Sequence, residues 1–215
     1  CLVGSEMCIR DRDNIIYHNN FINNSDQVYT FDSADRWDYS GEGNYWNDYT
    51  GEDLIIDGVG DTPYLINEDI WDNHPLMGSL SFFSFAWQDE SYYVLVVSNS
   101  SILEFSFMQS EKMLSLNFTD LDLVSGFCKV SLPVVLLGGP YTFLLDASQS
   151  TAIIQTSNDT HTFFYFSYGE GMRGIKIIGT TAIPEFSSIP PIFLFAVLFV
   201  TILLRWQGIG GSRQN

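Results

Sequence analysis

Between residues 79 and 182 the apolar positions fall into short runs: 80–87, 92–97, 102–108, 113–118, 127–132, 141–145, 152–155, 162–168 and 174–178. Gly, Asn, Ser and Asp separate them. Several runs alternate. Cys128, Val130 and Leu132 share one face and Lys129 and Ser131 the other, while Ile175 and Ile177 flank Lys176. A period of two over short runs is the signature of strands, and no run has a helical period. Seven to nine strands in about 100 residues predict an antiparallel β-sandwich of immunoglobulin-like type. Cys128 is then a small buried hydrophobe rather than a nucleophile.

Residues 13–78 follow another pattern. In NIIYHNNFINN (14–24), asparagines bracket the apolar pairs Ile15/Ile16 and Phe21/Ile22. In a parallel β-helix short strands turn apolar residues inward. Asn at the turns accepts left-handed backbone geometry and stacks on Asn of the next coil. A single coil cannot bury a core, so this segment predicts the last coil of a longer array.

A third pattern lies near the carboxyl end. Residues 189–204, IPPIFLFAVLFVTILL, carry no charge. Sixteen helical residues rise about 24 Å against a hydrocarbon core of about 30 Å. Arg205 and Trp206 follow at once as an interfacial anchor. The expectation is one transmembrane helix over 183–206, with 207–215 as a cytoplasmic tail and the bulk outside.

Charge sharpens this division. Of 26 acidic and nine basic residues in the 215, residues 13–78 hold 14 acids and one base, Arg36. Residues 79–182 hold nine acids and four bases. A formal charge of −17 excludes nucleic acid as a partner, because phosphates need a basic face. Aromatics at 15% exclude a disordered chain. Residues 1–12, CLVGSEMCIRDR, read as a non-native leader and take Cys1 and Cys8 with them. Cys128 then stands without a disulfide partner or zinc spacing.

The segment NYWNDYTGEDLIIDGVGDTPYLI (44–66), followed by HPLM (74–77), resembles the closing segment of NosD-like right-handed β-helix repeat proteins, which are common on archaeal cell surfaces. Trp46, Asp48, Tyr49, Gly51, Asp57, Gly58, Gly60, Asp61, Thr62, Pro63 and Tyr64 carry the likeness. Residues 126–146 resemble a sandwich module appended to such β-helices. IPEF (183–186) resembles archaeal sorting tails of the Pro-Glu-Phe type. The resemblance implies architecture and location more than chemistry, since fold does not fix function.

Each candidate site has a structural alternative. Asp53, Asp57 and Asp61 with Gly58 and Gly60 are candidate calcium ligands, joined by Asp48 and Glu52, because hard cations need several oxygens within reach. Ile55 stands where relatives carry a polar residue, and the alternative is a solvated acidic turn. Copper requires clustered His, Cys or Met, whereas His18, His74 and His161 are scattered. Asp32, Asp35 and Asp38 are acid/base candidates for polysaccharide chemistry, although such acidity repels an anionic sugar. Asn23, Asn99, Asn117 and Asn158 head Asn-x-Ser/Thr sequons and predict a glycoprotein. Trp37, Tyr39, Tyr45, Trp46 and Tyr49 offer a sugar-stacking platform or a plug on the open solenoid end.

The resulting reading has three parts: a terminal β-helix coil with an acidic closing segment (13–78), a sandwich (79–182) and a membrane anchor. It is a non-catalytic fragment of a single-pass surface protein that caps and displays the solenoid beside membrane lipid. Its alternatives are a carbohydrate-binding module, or the remnant of a β-helix lyase, hydrolase or epimerase.

Overall fold

The alternation seen in the sequence sets the inside and outside of the strands. In the computed structural model Cys128, Val130 and Leu132 are fully buried, as are Ile175 and Ile177 on either side of exposed Lys176. The structure describes residues 2–3, 6–7, 13–30, 35–87, 89–118, 125–146, 148–150, 153–169 and 174–183. The described residues up to Ala182 belong to one compact unit. The predicted membrane helix, Arg205 and Trp206 lie outside the described residues. Among the described residues every element is a strand, and no helix is long and apolar enough to cross a membrane.

β1 (Leu2–Val3) and β2 (Glu6–Met7) pair as a short hairpin. β3 (Asn20–Phe21) and β4 (Tyr45–Trp46) pair in parallel, Asn20 opposite Tyr45 and Phe21 opposite Trp46. Further parallel bridges join Ile15 to Arg36 and Tyr45 to Leu76. Three passages of the chain are thereby stacked, through Phe21, Trp46 and Leu76. Asparagines join the passages. Asn23 takes a left-handed φ of 56° and shares hydrogen bonds with Asn47, while the N–H and Nδ2 of Asn19 both donate to Asn44 Oδ1. β5 (Tyr64–Asn67) and β6 (Ile70–Asp72) form an antiparallel hairpin beside the stack.

The following strands are β7 (Ser79–Trp87), β8 (Glu90–Ser98), β9 (Ile102–Met108), β10 (Met113–Phe118), β11 (Ser125–Pro133), β12 (Leu137–Gly138), β13 (Thr142–Leu145), β14 (Ser148–Ser150), β15 (Ile154–Ser157), β16 (His161–Gly169), β17 (Gly174–Ile178) and β18 (Thr181–Ala182). Ten of them build two five-stranded antiparallel sheets, ordered β15-β16-β11-β8-β7 and β14-β13-β17-β10-β9. Neither closes into a barrel. Phe83 stacks on Phe105 at 3.8 Å and Phe143 meets Phe164 edge-on at 5.0 Å, so the sheets face one another through aromatic side chains. Eight of the nine apolar runs lie on strands almost throughout, whereas the run 152–155 meets β15 only at Ile154 and Gln155. The tenth strand, β14, reads SQS and gives no hydrophobic signal.

The composition boundary near residue 78 is a packed junction. Val59 and Leu76 share one buried cluster with Leu80 and Val97. A Cβ on Gly78 would lie 2.3 Å from the backbone carbon of Ser98, so only glycine admits this approach.

Candidate functional site

The Asp-rich loop turns its carboxylates onto its own backbone. Asp53 Oδ1 accepts from the amides of Ile56 (2.6 Å) and Asp57 (3.1 Å), and Oδ2 from Gly58 (2.8 Å). Asp57 Oδ1 accepts from Val59, and Asp61 Oδ2 from Leu54 and Ile55. Asp48 accepts from Tyr64 and Gln27, while Glu52 supplies its backbone carbonyl to Asp61. Burial, together with this contact to Asp48, pushes the Tyr64 phenol up to about 12. A calcium loop aims several oxygens at one point. Here the loop aims N–H groups at carboxylates. Among the described residues no three His, Cys, Asp or Glu side chains converge to hold a metal ion.

These contacts hold an unusual turn in place. Ile56 has φ 62°, a left-handed conformation costly for a β-branched residue. The Asp53 carboxylate stabilises that turn and leaves Leu54 and Ile55 exposed.

A second carboxylate system lies where the stacked passages meet the sandwich. Glu42 Oε2 is 2.7 Å from His18 Nε2, and Oε1 is 2.6 Å from Lys129 Nζ on β11. Burial pushes the Glu42 carboxyl up, but the His18 hydrogen bond and the Lys129 charge outweigh it and hold it at about 2. Glu42 is therefore a fixed anion near neutrality and clamps Lys129. Beside it a cleft of about 450 Å³ is lined by Ser40, Asp57, Thr156, Phe163 and Tyr165 among others. Burial first, and then the charges of Asp53 and Asp57, push the Tyr165 phenol up to about 12. It stays a neutral hydrogen-bonding group.

The third system centres on Asp72, which the sequence did not single out. Asp72 is wholly buried, and its Oδ2 accepts from Asn44 N–H (2.7 Å) and Trp46 Nε1 (2.9 Å). Its Oδ1 accepts from His74 N–H. Asn44, equally buried, also donates through Nδ2 to the carbonyls of Ile16 and Trp37. Trp46 is sandwiched between Phe21 at 4.2 Å and Tyr64 at 4.3 Å. Trp37 and Trp46 thus belong to the core and offer no platform to a sugar, while Tyr39 is exposed.

The remaining candidates disperse. Asp35 accepts from Asn14, and Asp38 accepts from Asn73 and sits 3.2 Å from His74 Nδ1. Burial raises the Asp38 carboxyl, but its Asn73 and His74 contacts prevail and lower it. Asp32 lies outside the described residues. His161 sits on β16, and Cys128 is buried with its thiol pushed far up by burial. These donors do not fit a copper centre. Among the sequons Asn23, Asn99 and Asn158 are exposed. Asn117 is half-buried and donates to Glu104. Asn158 Oδ1 accepts from Thr160 and His161, which fixes the turn before β16.

Comparison with known proteins adds a likeness to one family. Residues 1–51 match the family described as "Periplasmic copper-binding protein (NosD)". A "Probable ABC transporter binding protein NosD" of Stutzerimonas stutzeri is 38% identical over 69 residues, 32% of this chain and 16% of that protein. The protein of the same description from Pseudomonas aeruginosa is 39% identical over 69 residues, again 32% and 16%. The chain thus spans about a sixth of the length of these curated relatives. No solved structure matches it.

Proposed function

We propose that this chain is the closing part of a longer NosD-like parallel β-helix protein, displayed outside the cell and non-catalytic in this portion. The stacked passages at Phe21, Trp46 and Leu76 serve as its last coils. The antiparallel sandwich, read as immunoglobulin-like, covers their downstream end and spaces them from the lipid bilayer. Residues 189–204, with Arg205 and Trp206, anchor the chain as a single span, the tail after it lying in the cytoplasm.

The carrying observation is the asymmetry of the stack. Downstream, Leu76 is fully buried in a cluster with Leu80 and Val97 of the sandwich. On the first passage Ile15, Tyr17 and Ile22 are exposed. A solenoid needs a polar terminal cover to stay soluble and leaves its growing face apolar. The family likeness at residues 1–51 supports the same direction.

The test is a transplant. Residues 13–182 are fused behind the coil array of the Pseudomonas aeruginosa relative, replacing its own carboxyl-terminal part. A soluble, cooperatively melting fusion beside an aggregating uncapped array supports capping. An uncapped array that is equally soluble removes it. Alkaline carbonate extraction tests the anchor, and recovery of the whole chain in the soluble fraction would refute it.

A second reading, carbohydrate binding, rests on the cleft at Glu42 and Lys129. Its hydroxyls and the rings of Phe163 and Tyr165 suit an uncharged sugar, which glycan-array binding would reveal.

A further inference from the structure

The two flanks of the facing sheets end differently. One ends in β14 and β15, three and four residues long, reading SQS and IQTS. Short polar edges resist pairing with another chain. The other flank ends in β7 and β9. β7 has nine residues, SLSFFSFAW, with no charge and no proline, and it pairs with β8 without a bulge from Ser79 to Trp87. Its neighbour across the sandwich, β9, carries one charge, Glu104, which accepts from Asn117. A long, flat, apolar edge is what soluble proteins ordinarily avoid.

Leu80 reveals which backbone groups face outward. Its N–H donates to Asn20 Oδ1 and its C=O accepts from Asn20 Nδ2, both at 2.8 Å. At this residue a side-chain amide stands in for a neighbouring strand. Strand alternation then points the N–H and C=O of Phe82, Ser84 and Ala86 the same way. Among the described residues these groups meet no backbone partner.

We infer that β7 pairs antiparallel with β7 of a second copy of this chain, about a two-fold axis at Ser84. The strand is complementary to itself in that register. Phe82 faces Ala86, a ring against a methyl, and Ser84 faces Ser84. Each outward residue donates one ladder bond and accepts one. On the inner face Phe83 meets Phe85, which extends the aromatic stack already formed with Phe105 and Phe107. β7 ends at Trp87, which falls opposite Ser81, one residue before Asn20 closes the edge at Leu80. Phe82 is 54% exposed in one copy and gains a neighbour. β7 itself carries no charged side chain along the paired stretch, and Asp89 and Glu90 follow it only at the turn. A two-fold contact of this kind closes on itself. The pairing therefore stops at two copies. It goes beyond the capping role and does not depend on it.

The experiment is protein mass by light scattering on the full chain in mild detergent, which shields residues 189–204. The expected mass is twice 24.3 kDa. Ser84→Pro removes the central outward N–H but keeps every bond to β8, so it should yield a folded monomer with the circular dichroism of the native chain. Ser84→Cys, gently oxidised, should give a disulfide-linked dimer whose linkage maps to position 84 in both copies. A monomer at every concentration reached overturns the pairing. So does a dimer that survives Ser84→Pro and gives no linkage between the two position-84 cysteines. Should Ser84→Pro fail to fold, the cysteine linkage decides, and its absence counts against the pairing.

Discussion

The indole N–H of Trp46 points at the carboxylate of Asp72, 2.9 Å away, with both side chains out of contact with water. The pair joins the middle stacked passage to the hairpin strand β6. Burial raises the Asp72 carboxyl despite the donors from Trp46, Asn44 and His74. Removing this carboxylate would strand three buried donors.

Asp72→Ala is therefore expected to cost about 3–5 kcal/mol, since each stranded buried donor costs about 1–3 kcal/mol. Urea denaturation followed by tryptophan fluorescence measures it. A loss below about 1 kcal/mol would mean that water replaces the carboxylate without penalty.

Glu42 sets a pH signature. Its carboxyl is about 2 in the folded chain against 4.5 ordinarily, because His18 and Lys129 favour the anion. A depressed acid contributes stability above its unfolded value, and that contribution fades as pH falls from about 4.5 towards about 2. The melting gap between the native chain and Glu42→Gln should thus be widest near neutrality and close in that window. A gap independent of pH would remove the clamp.

Asp53 should matter without calcium. Asp53→Ala leaves the amides of Ile56, Asp57 and Gly58 without their acceptor and is expected to cost about 1–2 kcal/mol. Amide exchange at 56–58 should accelerate. Melting curves in calcium and in chelator should coincide, and a calcium-dependent rise would restore the cation reading.

Gly78→Ala probes the junction. Its methyl would press on backbone atoms of Ser98, which cannot rotate away. A loss of at least about 2 kcal/mol is expected, with fluorescence and circular dichroism falling together. Separate transitions would show two independent modules.

The sandwich was legible because its strands announce themselves by period, as at residues 128–132 and 175–177. β14 was not, since Ser148–Ser150 is held by pairing with β13 and not by apolar burial. The closing segment misled in a physical way. Asp residues near glycine suit a cation loop and an amide-capping turn equally well, and only the direction of the N–H groups separates the two. Asp72 gave no sign of its role, because in a stretch of 14 acids nothing local marks the one excluded from water.

The amide of Asn20 reaches across sixty positions to grip Leu80. A ribosome delivers the amino end first. This contact can therefore close only after β7 has emerged, and with it the buried cluster that Val59 and Leu76 share with Leu80 and Val97. A product interrupted near residue 78 would lack Leu80 and Val97 and would leave Leu76 without the partners that bury it.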